Sequence, residues 1–190
     1  MTDTQWPRWE VFEQEQPDAP YRNVGSVHAS DSEMALENAR DVFVRRPHCV
    51  SLWVVRADQI FAQTAQELAA ASSSQPTPAT LVTPDSQGRA AEPYFVFQKQ
   101  TQRATETYVV LIGEVAAHTP PEALALAQEK FGAGPVFVWW VCPAQAITPS
   151  AEVDVESMFE PCEFKPYRQP QFYKVVAQLH QIKSAKGGQA

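Results

Sequence analysis

Apolar residues recur at helical spacing in two separate stretches of the chain. They stand three or four positions apart, which places them on one face of a helix and predicts two amphipathic helices. The positions are Leu36, Ala39 and Phe43 in the first stretch, and Leu124, Ala127 and Phe131 in the second. The chain is therefore expected to contain two similar helices, one in each half.

Start and stop signals flank the first predicted helix. Ser30 stands three positions before Glu33, which is the spacing of a capping box. Arg45 and Arg46 stand at the predicted end, where cations interact favourably with the helix dipole, and Pro47 stops the helix.

The second predicted helix has the same kinds of signal in different residues. Thr119 and Glu122 form the capping box, and Pro120 takes the first helical position. Gly132 follows the last apolar residue, as is typical of a helix C-terminus. Agreement of start, face and stop in both halves strengthens both predictions.

Short β-rich runs surround these helices. In the first half, strands are predicted over residues 9–13, 21–28 and 51–55, and a turn-like stretch at residues 16–20 favours a hairpin. In the second half, residues 136–141 form the matching strand after the helix. Each half thus has the pattern strand, strand, helix, strand.

The two halves repeat at a spacing of about 88 positions. Residues 24–27 (Val-Gly-Ser-Val) are echoed by residues 112–115 (Ile-Gly-Glu-Val), which indicates a diverged duplication. A module of about 60–70 residues has a marginal core and an uncovered sheet edge. We therefore predict an α+β fold in which two repeated modules pack as a pseudo-dimer, followed by an extended C-terminal tail.

The predicted organisation has five parts. Residues 1–68 form the first module and residues 92–163 the second. Residues 69–91 are rich in Ala, Ser, Thr, Gln and Pro and are predicted to be a flexible linker, because they cannot bury enough surface to offset their ordering entropy. Residues 164–176 carry too much proline for a helix and form the extended tail, and residues 177–190 are predicted to be disordered.

Composition limits the classes of partner that the chain can bind and indicates its cellular compartment. The net charge is −7 over 190 residues, and without a basic stripe this argues against nucleic acid and anionic membranes as partners. No apolar run approaches the roughly 20 residues that a membrane helix needs. Cys49, Cys142 and Cys162 are an odd and sparse set, which favours a reducing cytoplasm over a disulfide framework.

The residues that usually carry chemistry are not arranged for it. No glutamate stands three positions before any of the four histidines, so the Glu-x-x-His pairs of a di-iron bundle are missing. Glu114 and His118 straddle a strand end, and the adjacent His48 and Cys49 would point to opposite faces of an extended chain. C-x-x-C pairs, nucleotide-binding glycine motifs and serine hydrolase elbows are also missing. We predict no catalytic residue, no metal site and no cofactor.

Aromatic residues are the remaining signal. Trp53 is expected in the core, together with one of the neighbours Trp139 and Trp140. Because neighbours on a strand face opposite sides, the other must face a second layer, the sister module or a partner protein. Trp6 and Trp9 at the entry of the first strand are candidate interface residues.

Several of these motifs together resemble the small B subunit of phenylacetyl-CoA epoxidase. The matching runs are residues 6–12 (Trp-Pro-x-x-Glu-Val-Phe), 24–29 (Val-Gly-Ser-x-His-Ala), 34–41 (Met-Ala-Leu-Glu-Asn-Ala-Arg-Asp), 45–46 (Arg-Arg), 53–55 (Trp-Val-Val) and 167–173 (Tyr-Arg-x-Pro-x-Phe-Tyr). Members of that family are usually about half as long as this chain. The second module matches poorly outside its periodicity, so we infer that it replaces the second protomer of a homodimer.

The resemblance implies a subunit of a cytoplasmic, multicomponent bacterial monooxygenase in phenylacetate degradation. In such a complex a di-iron subunit holds the active site, a companion subunit supports it, and a reductase supplies electrons from NADPH. The B subunit has no catalytic residues and bridges or organises the catalytic core. The predicted partner-binding residues are Trp6, Trp9, Arg45, Arg46, Tyr167, Arg168, Phe172 and Tyr173.

Two alternatives stay open at this point. The tail can dock on the partner complex, or it can cover the chain's own sheet. The whole chain can be a stand-alone, cofactor-free enzyme or a binding protein for a small aromatic ligand, which would need polar side chains converging on an apolar cavity. A large pocket in each module would favour that second interpretation, whereas a packed core with an exposed aromatic face would favour an interaction subunit.

Overall fold

The computed structural model describes residues 5–44, 49–73, 90–101 and 108–160, which form one antiparallel sheet and four α-helices. The strands are β1 (Arg8–Gln14), β2 (Arg22–His28), β3 (Ser51–Arg56), β4 (Phe61–Thr64), β5 (Glu92–Lys99), β6 (Val110–Ala117), β7 (Val138–Pro143) and β8 (Ile147–Pro149). The helices are α1 (Ser32–Phe43), α2 (Ala65–Ser73), α3 (Pro120–Phe131) and α4 (Val155–Phe159). We call β1 to α2 the first half and β5 to α4 the second half.

Helix α1 starts with a different capping residue from the one predicted. Asp31 is the N-cap, and its carboxylate accepts the N–H of Met34 at 2.9 Å. The hydroxyl of Ser30 donates to the same carboxylate at 2.7 Å, so the capping box predicted at Ser30 is wrong. A carboxylate is a charged acceptor and suits the positive end of the helix dipole better than a hydroxyl does. The predicted stop at residues 45–47 lies outside the described residues.

Helix α3 starts and ends as predicted. Pro120 is its first residue, Thr119 is the N-cap and accepts the N–H of Glu122 at 3.4 Å, and Gly132 is the C-cap. The carboxylate of Glu122 accepts the backbone N–H of His118 at 2.9 Å, one residue before the cap.

The predicted apolar faces of both helices are the buried ones. The buried helical residues are Ala35, Leu36 and Ala39 in α1, and Ala123, Leu124 and Ala127 in α3. Phe43 and Phe131 close the two faces, half-buried against the same cores. Each helix therefore covers one side of the sheet with the residues that its sequence period indicated.

The sheet has the strand order β4-β7-β5-β6-β2-β1-β3-β8, and all the neighbours are antiparallel. The mixed α+β class that the sequence predicted is thus confirmed. Each half also carries a fourth strand that the sequence patterns did not indicate. Strand β4 of the first half pairs with β7 of the second, and β8 of the second half pairs with β3 of the first.

We call the pairings of β4 with β7 and of β8 with β3 exchanged, because each joins a strand of one half to a strand of the other. These two exchanged pairings share one register. Val55 faces Ile147, and six residues further along the first strand Phe61 faces Val141, which is six residues earlier in the second strand. Short 3₁₀ turns at Ala57–Gln59 and Ala144–Ala146 bend the chain between the two ladders. Strands β3 and β4 are therefore one bent strand, β7 and β8 are another, and their pairing closes the sheet into a barrel.

Three buried clusters form the core. Two lie between the sheet and the helices, one in each half, and the third fills the inside of the barrel. The ring centroids of Phe12 and Phe97 are 4.4 Å apart, although two other strands separate β1 from β5 in the sheet order. Such contact across the barrel shows that the inner face of the sheet is packed on itself.

The tryptophans divide between these layers as expected. Trp139 is buried against the helix side of the second half, whereas its neighbour Trp140 lies in the barrel, 6.3 Å from the ring of Phe12. Trp53 also lies in the barrel, stacked on Tyr21 at 3.6 Å between ring centroids.

The last helix of each half covers the core of the other half. Leu68 of α2 packs against the cluster of the second half, and Phe159 of α4 is buried in that of the first. Helix α2 also occupies residues 69–73, the beginning of the predicted linker. The rest of the linker up to residue 89, the tail at residues 164–176 and residues 177–190 lie outside the described residues.

Candidate interaction surface

A cleft of about 510 Å³ opens at one end of the barrel, in the first half. It lies where β1 begins and where β2 and β3 end. Its main lining residues are Trp6, Pro7, Arg8, His28, Arg56 and Asp58. They come from three separate stretches of sequence and include the first motif of the family resemblance.

Strand register brings these side chains together. Arg8 on β1 lies opposite His28 on β2, and Trp9 lies opposite Arg56 on β3. Asp58 follows directly in the 3₁₀ turn that bends β3 into β4. The cleft is thus a product of the hairpin and the barrel corner together.

The segment before β1 is held firmly against the end of β2. The N–H of Ala29 donates to the carbonyl of Pro7 at 3.2 Å, and Nδ1 of His28 lies 2.9 Å from the carbonyl oxygen of Trp6. Beneath it, Trp9 is buried, and its Nε1–H donates to the carbonyl of Ala29 at 3.1 Å. The backbone under Trp6 is therefore fixed before any partner arrives, which lowers the entropic cost of binding through its side chain.

Of the predicted interface residues that the structure describes, Trp6 alone shows its side chain to solvent. Its relative exposure is 56%, against 7% for Trp9, which serves as a core residue and hydrogen-bond donor. The other predicted contacts lie outside the described residues; they are Arg45, Arg46, Tyr167, Arg168, Phe172 and Tyr173.

Two exposed arginines, Arg8 and Arg56, line the cleft together with Trp6. Nε of Arg8 is 3.2 Å from a carboxylate oxygen of Glu10, and Nη2 of Arg56 is 2.6 Å from one of Asp58. The Arg56–Asp58 pair is exposed and contributes little to stability, whereas the Glu10 carboxylate is buried and also accepts a hydrogen bond from the side-chain amide of Asn23 at 3.1 Å. Each guanidinium has five N–H donors and uses one nitrogen in its ion pair, so both keep donors available for oxygen atoms of a partner.

The barrel interior offers a different environment, because aromatic rings fill it. The ring of Phe12 contacts the rings of Phe97 and Trp140 there, and the ring centroids of Trp53 and Phe95 are 5.1 Å apart. Among the described residues, no three His, Cys, Asp or Glu side chains lie close enough together to hold a metal ion.

Outside the cleft, the surroundings of two titratable groups, Glu122 and Cys142, shift the pKa. His118 lies 3.2 Å from the carboxylate of Glu122, and the hydrogen bond from the backbone of His118 lowers the pKa of that carboxyl. Burial inside the barrel raises the pKa of the Cys142 thiol to about 12, so it is a protonated, apolar side chain near neutral pH. Among the described residues, no helix combines the length and the apolar character that crossing a membrane requires.

The fold is thus an α+β barrel with aromatic rings packed in its interior and a cleft that exposes one tryptophan and two arginines at one end. The family model for Phenylacetic acid degradation B matches residues 5–77 and 92–180. The chain belongs to this family, and the predicted resemblance is confirmed.

A named relative lies within the same family. Over 67 residues the chain is 46% identical to the B subunit of 1,2-phenylacetyl-CoA epoxidase from Escherichia coli (strain K12). That match covers 35% of this chain and 70% of the relative. No solved structure matches the chain.

Proposed function

We propose that this protein is a non-catalytic, structural subunit that bridges or organises the catalytic core of a multicomponent, cytoplasmic di-iron phenylacetyl-CoA epoxidase in aerobic phenylacetate degradation. Its partners are the catalytic di-iron subunit and the companion of that subunit. Family membership supports the pathway, and the relative in E. coli is named as a subunit of the epoxidase.

The observation that carries the structural role is the contrast between the barrel interior and the cleft. Aromatic rings fill the interior, where an enzyme or a small-ligand carrier with this fold would need an apolar cavity. The exposed indole of Trp6 and the guanidinium groups beside it lie on the outside. Large aromatic and arginine side chains are the residue types that dominate binding energy in protein interfaces.

The arrangement of the halves supports the idea that one chain stands for two copies of the family's module. The family model matches two segments, and the order strand, strand, helix, strand, strand, helix occurs twice. At the junction of the halves the N–H of Asn23 donates to Val109 O, and the N–H of Leu111 donates to Tyr21 O, both at 2.8 Å. This reciprocal pair is what a two-fold relation between β2 and β6 would produce.

Co-purification tests the proposed role. The tagged chain is expressed with the di-iron subunit and its companion, and we expect all three to elute together in a fixed ratio. Trp6→Ala should weaken this association at least about tenfold, because truncation of an interface tryptophan commonly costs more than about 2 kcal/mol. Its melting temperature should stay unchanged, since the indole is exposed.

Leu126→Ala is the matched control, because Leu126 is an exposed apolar residue on α3, away from the cleft. It should bind like the unchanged chain. Elution of the chain apart from both subunits would refute the proposal. Turnover of an aromatic substrate by the isolated chain would show the alternative, a stand-alone enzyme. The tail at residues 164–176 stays a predicted second contact.

A further inference from the structure

We infer that, of the two ends of the barrel, only the one in the first half is a docking surface, so that one chain binds one catalytic unit instead of bridging two. A catalytic unit here means one assembled particle of the di-iron subunit with its companion. This inference rests on the proposed function. It concerns the number of docking ends on the molecule.

The strand registers identify the residues of the second half that correspond to the cleft. Pro93 lies opposite Ala116, as Arg8 lies opposite His28. Pro143 lies opposite Tyr94, as Arg56 lies opposite Trp9. The two ends can therefore be compared residue by residue.

Among the described residues, no binding group of the first end recurs at the corresponding position of the second end. The corresponding residues, in the order of Trp6, Arg8, His28, Arg56 and Asp58, are Ala91, Pro93, Ala116, Pro143 and Gln145. Neither a guanidinium, an imidazole nor an indole remains among them. Gln145 donates to the carboxylate of Glu92 at 3.1 Å, a neutral donor where the first half has an ion pair.

The prolines also change the backbone at the second end. Proline has no N–H and a fixed φ, so Pro93 at the start of β5 and Pro143 at the end of β7 cannot donate to an approaching chain. Such residues are typical of strand ends that do not pair further. In the described residues, the first end thus carries an exposed indole and two guanidinium groups, whereas the second end carries the neutral amide of Gln145 and the carboxylate of Glu92.

The first end fits a partner segment of defined chemistry. The Trp6 indole, more than half exposed, needs an apolar side chain to cover it. Arg8 and Arg56 stand beside it with side chains that are 57% and 47% exposed, and they need acceptor oxygens. The occupant we commit to is a loop of the catalytic unit that presents an apolar residue flanked by carboxylates, since charge-assisted bonds to guanidinium favour that pairing.

The mass of the assembled complex tests the inference. The full chain is mixed with increasing amounts of the catalytic unit, and the complex is weighed by native mass spectrometry. We expect one catalytic unit per chain even with the unit in excess. Two units per chain would overturn the inference and leave the proposed function intact. Absence of any complex would overturn both.

Paired variants locate the docking end in the same assay. The double variant Trp6→Ala with Arg56→Ala should weaken the complex at least about tenfold. Gln145→Ala alters the corresponding place in the second half and should leave affinity and stoichiometry unchanged. Loss of binding by Gln145→Ala, with the fold retained by circular dichroism, would contradict a docking surface restricted to the first half.

Discussion

At the scale of single residues, two glycines show most directly how side chains determine local structure. A methyl group at Gly25 would lie 2.8 Å from Cζ of Phe43, and one at Gly113 would lie 2.6 Å from Cζ of Phe131. Both glycines have positive φ and stand where the register of their strand shifts. Glycine thus meets two requirements there, a backbone conformation and room for the last ring of the helix.

Gly113→Ala is therefore expected to destabilise the protein by about 1–3 kcal/mol, because its methyl group would overpack against Phe131. Chemical denaturation followed by circular dichroism measures the change. Gly134→Ala is the control, since Gly134 also has a positive φ of 131° but no atom within 4 Å of an added methyl group. It should lose less, about 1 kcal/mol from the backbone alone. Equal losses would show that the ring contact is unimportant.

At the scale of secondary structure elements, local signals accounted for helices α1 and α3. The apolar spacing indicated the buried faces of α1 and α3, and the cap of α3 was predicted correctly. The sequence also holds a capping box at the start of α2: Glu67 accepts the N–H of Thr64 at 2.7 Å, and Thr64 Oγ1 accepts the N–H of Glu67 at 3.2 Å. That Thr-x-x-Glu signal could have revealed α2, which the periodicity alone did not predict.

The cap of α1 makes a pH-dependent prediction. The pKa of the Asp31 carboxyl is lowered, first by the backbone N–H of Met34 and then by the hydroxyl of Ser30. Because the pKa is lowered in the folded state, the ionised cap stabilises the protein fully at pH values above about 4, the ordinary pKa of Asp. This contribution is lost as the pH falls through the folded pKa. Asp31→Ala should therefore lower the melting temperature at about pH 7 and have a smaller effect near pH ~3.

Asp31→Asn serves as the control, because an asparagine caps helices without titrating. Its melting temperature should stay near that of the unchanged chain at neutral pH. Its melting temperature should fall less on acidification than that of the unchanged chain, because asparagine has no carboxyl group to protonate. The same pH dependence in both proteins would mean that another carboxyl group is responsible.

The strands that the sequence patterns missed are the exchanged ones. β4 has four residues and β8 has three, which is too short for a period of two to be recognised. Their strand state depends on partners in the other half of the chain, so no local pattern reports it.

At the scale of the whole molecule, the exchange makes the halves depend on each other. Phe159 at the end of the second half is buried in the core of the first, and truncation of such a residue costs about 3–5 kcal/mol. That is a large part of the roughly 5–15 kcal/mol that stabilises a typical domain. The closed ladder between the two bent strands also disappears if either half is removed.

The fragment of residues 1–68 is accordingly not expected to be a stable monomer. It lacks β8 and α4, which leaves the edge of β3 and part of its core uncovered. Thermal melting by circular dichroism should show no cooperative transition, whereas the full chain should show one. Mixing with a fragment of residues 90–160 is the control, and it should restore cooperative melting. A monomeric, cooperatively melting fragment would contradict the interdependence.

The cleft is also a property of the whole molecule. Trp6 was identified from its position before a strand, but Arg8, His28, Arg56 and Asp58 were not singled out as neighbours. They meet through the pairing of β1 with β2 and β3. A comparison of the two halves by strand register would have indicated them, because each is replaced by a neutral or small residue in the second half.

The sequence by itself determined the features that depend on residues close together in the chain. These are helices α1 and α3 with their buried faces, the core positions of Trp53 and of one of the pair Trp139 and Trp140, the α+β class and the family. Helical period and capping act over three or four residues, and family motifs are runs of sequence, so both can be recognised without coordinates.

Only the tertiary structure decided the strand exchange, the closure of the barrel and the composition of the cleft. Each of these depends on pairing between residues far apart in sequence, such as Val55 with Ile147. The stability of such a pair comes from its neighbours and from burial rather than from the propensity of either residue. For that reason the cleft became visible only when both halves of the chain were folded together.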